Sequence, residues 1–346
     1  MLLFQQCRGL YLPLMASLKK IRKPAAWMIL PSAALAVFLA LTLSDFYFFY
    51  RAGPAADDRT VIIPSGATLK SVAALLERHG VLEVKAAFYW TARLSGAAGD
   101  LQAGEFLIPA GTSQSGILNI LLTGKTVLHK ITFPEGLTSA QVAALLLEEE
   151  KLAGEIKELP GEGTLLPETY LFERGDSRPD ILRRMAENRD RLLEDLWANY
   201  DFSLPFMSIE EAVILASMVE EETGIAEERT LIAAVFLNRL KRGMRLQSDP
   251  TVIYGLTGGV PLGRPILLSE LERDTPYNTY IHTGLPPGPI ANPGRAALEA
   301  VFNPANSDAL YFVADGAGGH VFADTLDQHN KNVRKWRRFQ REGAGN

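Results

Sequence analysis

The chain has 346 residues, enough for two soluble domains and a membrane anchor at about 100–200 residues per domain. Hydrophobic residues make up 47% and charged residues 22%, the balance of a globular protein that includes a membrane segment. The formal net charge is −5, with no dense basic stripe beyond the N-terminus, which argues against nucleic-acid binding; the single cysteine, Cys7, excludes an internal disulfide framework and a cysteine zinc site.

Residues 25–44 (AAWMILPSAALAVFLALTLS) carry no charge. About 20 such residues suffice to cross the hydrocarbon of a bilayer as a helix. Lys19, Lys20, Arg22 and Lys23 precede the run, so residues 1–24 are expected on the cytoplasmic side and the remainder outside. Trp27 at one end and Phe46, Tyr47, Phe48, Phe49 and Tyr50 at the other suit the two membrane interfaces, giving an anchor over residues 25–50. The competing reading is a cleaved signal peptide with a small-residue site at Ala34, Leu35 and Ala36. Residues 51–59 (RAGPAADDR) read as a short linker.

A strand–turn–helix unit then recurs unevenly. Short β-type runs at 61–63, 106–108 and 131–133 each lead into a P-x-G turn. Thr68, Ser113 and Thr138 follow as caps of short amphipathic helices. This skeleton is similar to the LysM module that binds N-acetylglucosamine polymers, and residues 60–130 are assigned to it; a generic α+β packing domain without ligand is the alternative. The expected fold is therefore α+β: a transmembrane helix, one or more small LysM-like modules, and a mixed α/β domain over residues 131–346. Within the last, residues 165–172 form an apolar and aromatic patch around Glu168, and residues 179–200 are helical with solvated Arg/Glu faces.

The most informative stretch is 208–256. Ser208 and Glu211 have capping-box spacing, which starts a helix near Ile209. Val213, Ile214, Leu215, Met218 and Val219 cover most of its circumference, so it is buried on nearly all sides. It ends in Glu220, Glu221 and Glu222. Glu222 shares the face of Met218 and Leu215, but periodicity alone does not select one glutamate, and a solvated helix end is the plain alternative. A carboxyl held among apolar groups has its charged form disfavoured and donates a proton near neutrality. Gln247, Ser248, Asp249 and Thr251 form a polar turn, with Tyr254 just beyond, whose side chains suit sugar hydroxyls and acetamido groups. Asp249 before Pro250 equally suits a local turn or helix cap. Tyr277, Asn278 and Tyr280 suit a saccharide platform or an ordinary packed loop. The five histidines are too scattered for a metal site, and His320 and His329 read as hydrogen-bonded structural groups. Residues 331–341 form a basic helical tail.

The segments ASMVEEET (216–223), VFLNRL (235–240), QSDPTVIYG (247–255), YNTY (277–280), GLPPGPI (284–290), NPG (292–294) and YFVADG (311–316), with Gly319 and His320, together closely resemble the endolytic murein transglycosylases of the YceG/MltG-like family. The resemblance implies that Glu222, immediately before Thr223, is the catalytic glutamate. It further implies an inner-membrane enzyme; separately, no cofactor or metal is expected. Such an enzyme cleaves the β-1,4 bond between N-acetylmuramic acid and N-acetylglucosamine in nascent strands, leaves 1,6-anhydromuramic ends and terminates polymerisation. Peptidoglycan strands are then the substrate, and peptidoglycan synthases are the expected partners. Glycoside hydrolysis usually needs two carboxylates about 5–9.5 Å apart. A lytic transglycosylase uses the sugar's own O6 as nucleophile, so Glu222 is expected to serve twice, first protonating the leaving O4 and then taking the proton from O6, with no partner carboxylate. Two rivals remain: a non-catalytic, membrane-anchored glycan-binding scaffold, and a muramidase pairing Glu222 with Asp249 or Glu168.

Overall fold

The computed structural model describes residues 26–201, 203–206 and 208–343. Ala25, Cys7 and the basic residues Lys19, Lys20, Arg22 and Lys23, on which the expected orientation rests, lie outside the described residues. The chain is a mixed α+β protein that divides into two compact units. The first comprises residues 1–103 and 107–124, the second residues 104–106 and 125–346.

The first unit opens with α1 (Ala26–Tyr50), in which Pro31 lies within the first turns. Pro31–Tyr50 is long and apolar enough to cross a membrane, by a criterion that anchors and signal sequences both meet. Nearly all of its side chains face outward, but Phe49 is buried where α1 reaches α3 and α4. Strand β1 (Arg59–Ile63) precedes α2 (Leu69–Arg78), α3 (Lys85–Leu94), β2 (Gly104–Ile108), with which β1 pairs, and α4 (Gln114–Thr123). Residues 51–58, which have the composition of a linker, are held down: the Gly53 amide donates to the Gly111 carbonyl, Gly111 donates to Ala55, and Asp58 accepts from the Ala110 amide.

The second unit begins with β3 (Leu128–Thr132) and α5 (Ser139–Glu148), followed by β4 (Thr169–Glu173) and α6 (Arg178–Ala198). The apolar patch around Glu168 supplies β4, which pairs antiparallel with β3 so that Ile131 faces Tyr170. Phe133, Val142, Leu146, Phe172, Ile181 and Met185 close a small core between this strand pair and the two helices. The recurring caps form as the spacing predicts: Thr68, Ser113 and Thr138 each accept a hydrogen bond from the backbone amide three residues on. At α5 the cap is reciprocal, because the Gln141 side chain accepts from the Thr138 amide. Thr138→Ala is expected to lower stability by about 1 kcal/mol, read as a shifted urea midpoint with unchanged slope.

Helix α7 (Ile209–Glu222) starts where the capping spacing puts it, with the Ser208 hydroxyl accepting from the Glu211 amide. Every residue from 212 to 219 is buried. Around it stand α8 (Arg229–Lys241), α9 (Asp249–Thr257) and α11 (Arg295–Phe302), with the short α10 (Leu268–Leu271) between the last two in sequence. Leu215, Met218, Phe236, Leu298 and Val301 are among the fully buried members of this core. Ser217, the one hydroxyl on the apolar run, donates to Ile214 and accepts from the Ile290 amide, which pins the 284–290 loop to the helix. Asn292 is wholly buried: it accepts from the Leu165 amide and donates to Leu137 and Ser139. The third P-x-G turn docks there too, with the Gly136 amide donating to Asn292. Gly136 has φ +79°, in the left-handed region that a side chain disfavours. A hairpin, β5 (Tyr311–Ala314) with β6 (His320–Ala323), and α12 (Leu326–Gly343) complete the unit.

Candidate active site

The polar stretch at 247–251 is not a free turn but the entry to α9, with Ser248 at the N-cap and Pro250 in the first turn, where its missing amide costs nothing. Ser248 does not cap the helix with its own hydroxyl. Instead its Oγ donates to Oε1 of Glu222 at 2.5 Å. The loop is braced from below. The Ser248 amide donates to Oγ1 of Thr279 at 3.0 Å, and Thr251, wholly buried, donates to the Ser248 carbonyl at 2.7 Å and meets Thr279 at 2.9 Å. Gln247 has φ +51°, a strained conformation for a residue with a side chain, and its amide donates to Thr279.

The three glutamates that end α7 point to different surroundings. Glu220 accepts from the Gly294 amide at 2.8 Å and lies 3.7 Å from Arg229. Glu221 lies beside the Gly136 turn. Glu222 alone enters a cleft of about 420 Å³ lined also by Arg239, Gln247, Asp249, Tyr280, Phe312, Val313, Ala314, His320 and His329. Burial pushes the Glu222 carboxyl up from 4.5 to about 7. The Ser248 hydrogen bond and the Arg239 cation oppose that rise, and the Asp249 carboxylate adds to it. The group is thus poised between acid and base near neutrality, the condition that proton transfer favours.

Of the residues singled out from the sequence, Glu222, Gln247, Ser248, Asp249 and Tyr280 come together. Tyr280 donates to Oδ1 of Asp249 at 2.6 Å, which raises the pKa of its phenol beyond what burial already does. Thr251 and Asn278 do not line the cleft but support it. Asn278 donates to the Leu271 and Arg273 carbonyls and accepts from the Tyr280 amide, which orients Tyr280. Tyr254 and Tyr277 pack on each other with ring centroids 4.8 Å apart, against the core and outside the cleft lining. Glu168 is paired with Arg295 at 3.2 Å and is also absent from the lining. Among the described residues no cluster of three or more His, Cys, Asp or Glu is arranged to hold a metal ion.

Three lining residues, Arg239, His320 and His329, are not among the catalytic or binding residues expected from the sequence. Arg239, only 7% exposed, donates through Nε to the Leu310 carbonyl at 2.6 Å and through Nη1 to the Leu246 carbonyl at 2.6 Å. The signal for it was a cation four residues after Val235 and three after Phe236, on a face that is otherwise apolar. His329 stacks on Tyr311, with centroids 5.1 Å apart. His320 is hydrogen-bonded, as expected, yet its ring also reaches the cleft. No spacing rule could have brought it to α7, because only the β5–β6 hairpin does so.

The architecture defines a mixed α+β protein with a polar cleft into which the half-buried Glu222 carboxyl opens. Residues 61–335 match the sequence profile of the YceG-like family. The endolytic murein transglycosylase of Bacillus subtilis (strain 168) is 34% identical over 315 residues, covering 81% of this chain and 86% of that protein. The endolytic murein transglycosylase of Streptococcus pneumoniae (strain D39) is 30% identical over 354 residues, covering 86% of this chain; the match spans 63% of that longer protein. A crystal structure of a putative YceG-like protein from Listeria monocytogenes superposes with a TM-score of 0.50 at 30% identity, covering 80% of this chain and 98% of that one. The chain belongs to the YceG-like family.

Proposed function

We propose that this protein is a membrane-anchored lytic transglycosylase of peptidoglycan that cleaves the N-acetylmuramic acid–β-1,4–N-acetylglucosamine bond of nascent strands and leaves 1,6-anhydromuramic ends. The observation that carries the reading is the position of Glu222: of the three glutamates that end α7 it is the one that lines the polar cleft, hydrogen-bonded to Ser248 and with its carboxyl pKa raised to about 7. The names of the relatives support the same activity. Glu222 protonates the leaving O4 as the C1–O4 bond breaks, and the O6 hydroxyl of the muramic ring closes onto C1 as its proton passes to a base lining the cleft. No water is activated and no nucleophilic carboxylate is needed, in contrast to the two-acid scheme of hydrolases. Gln247, Asp249 and Tyr280 meet sugar hydroxyls and acetamido groups from the cleft wall, while Thr251, Asn278, Tyr254 and Tyr277 hold that wall in place.

Helix α1 is the single-pass anchor, with the N-terminus cytoplasmic and the chain after residue 50 outside the inner membrane. Residues 60–130 act as a LysM-like module and residues 131–346 as the catalytic domain. Strand cleavage next to the membrane suits termination of polymerisation, with peptidoglycan synthases as partners. Mass spectrometry of sacculi digested with the purified protein tests the activity: anhydro ends are expected. Reducing ends would favour the second reading, a muramidase in which Asp249, in the same cleft as Glu222, is the second carboxylate. Absence of products would leave a glycan-binding scaffold.

Ser248→Ala gives a finer test. The hydroxyl favours the ionised form of Glu222, so its removal lets the pKa climb further. Activity that needs the protonated acid is present below the folded pKa and lost as pH rises through it. The alkaline limb of kcat/KM, expected near 7 in the wild type, is therefore expected to move upward by about one unit in the variant.

A further inference from the structure

The cleft contains a second acid–base group. His320 opens β6 and pairs across the hairpin with Ala314. Glu228, at the start of α8, grips it with both carboxylate oxygens: Oε1 accepts from the His320 amide at 2.7 Å and Oε2 lies 2.7 Å from Nδ1. Thr223, the residue after Glu222, donates to the same Oε2 at 3.3 Å. The turn that follows Glu222 thus also fixes the position of the imidazole. Phe312 meets the ring edge-on, with centroids 5.4 Å apart.

The consequence is chemical. Burial alone would push the Glu228 carboxyl up, but its hydrogen bonds to His320 hold it below the usual glutamate range. An ionised carboxylate at Nδ1 keeps the proton on that nitrogen, so the lone pair of the neutral ring lies on Nε2. Nε2 makes no hydrogen bond among the described residues, and the ring lines the cleft that contains Glu222. The other cleft histidine lacks this arrangement: Nδ1 of His329 is buried without a partner, and burial together with Arg239 opposes its protonation.

We propose that the Glu228–His320 pair is the base of the reaction, a deepening that rests on the transglycosylase reading above. Glu222 gives its proton to O4 as the C1–O4 bond breaks. O6 bonds to C1, and the O6 proton passes to Nε2 of neutral His320. The imidazolium so formed is held by the Glu228 carboxylate. Exchange with solvent then moves one proton off His320 and one onto Glu222, which restores both groups with no net consumption. The two proton transfers occur at different atoms of the sugar, O4 and O6, and two separately mounted groups serve them without one carboxyl having to reach both.

His320→Asn is the decisive variant, because an asparagine amide can still donate to Glu228 while the atom equivalent to Nε2 is deleted. On peptidoglycan strands, full-length His320→Asn is expected to lose about 10²–10³-fold in kcat, within the usual range for a general base, with KM little changed. His320→Ala is expected to fall as far and to recover at least about tenfold with imidazole in the buffer, a rescue that a purely structural role does not give. Glu228→Gln should keep the fold and lower kcat about tenfold. Retention by His320→Asn of activity within about threefold of wild type, or loss by folded His320→Ala without imidazole rescue, overturns the proposal while leaving the transglycosylase reading intact. A wild-type protein that releases no anhydro ends fails the activity itself, which is a separate and recognisable result.

Discussion

Glu222→Gln is expected to abolish release of anhydromuropeptides, by about 10³-fold or more, since it removes the proton given to O4 and leaves only binding and orientation. The amide keeps an oxygen for Ser248, so the cleft is expected to keep its shape. The same substitution has a stability signature of opposite sign. The acid has its pKa raised from 4.5 to about 7, so between those values the native state holds a proton that the unfolded chain has lost. Stability contributed by the protonated carboxyl is complete below the unfolded value and is lost as pH rises through the folded one. At about 1.4 kcal/mol per unit, the wild type forfeits up to about 3 kcal/mol across that window. The glutamine variant titrates nowhere in it, so its unfolding midpoint relative to wild type is expected to climb from pH 4.5 to 7 and then level off. An inactive variant that is more stable than wild type at pH 8 distinguishes a catalytic acid from a structural one. Retained cleavage would remove Glu222 from the mechanism.

The largest loss of stability is expected at Arg239→Ala. The guanidinium ties three segments together: α8, which carries it; Leu246, two residues before Ser248; and Leu310 at the entrance to β5. Both carbonyls belong to buried residues. A buried acceptor left without a donor costs about 1–3 kcal/mol. Burial already disfavours the cation, as the lowered Arg239 pKa records, so its removal returns part of that loss. The stranded carbonyls and the vacated volume outweigh that return, and a net destabilisation of about 3 kcal/mol is expected in urea titrations. Arg239→Lys is expected to recover little, since an ammonium cannot reproduce the planar fork that serves two carbonyls in different directions. Because the Leu246 tie is one residue removed from Gln247, activity should fall as well, through a loosened Ser248 rather than a lost proton donor. An Arg239→Ala protein with wild-type midpoint and wild-type kcat would contradict this account.

Several features were legible before any coordinates. The apolar run 212–219 and the Ser208–Glu211 spacing give α7 its start and its depth, because burial and capping follow local periodicity. The recurring P-x-G turns and their Thr or Ser caps are legible for the same reason. Local signals mislead where a polar side chain is recruited from afar. Ser248 reads as part of a turn, yet its hydroxyl goes to Glu222 instead of capping α9. Tyr254 and Tyr277 have the composition of a sugar platform, but they find each other and the core first, since aromatic burial is favourable wherever a cavity admits it. Asn278 and Thr251 are polar for their backbone partners.

By itself the sequence determined the mixed α+β class, the apolar N-terminal segment, the helix that ends in three glutamates and, through its motifs, the family. Each of these is written in neighbouring residues or in long contiguous patterns. Only the tertiary structure decided which glutamate enters a cleft, what neutralises or opposes its charge, and that His320 and Glu228 meet across 92 positions of chain. A carboxyl's proton affinity depends on every group within a few ångströms, and those neighbours are assembled by packing between α7, α8, the start of α9 and the β5–β6 hairpin.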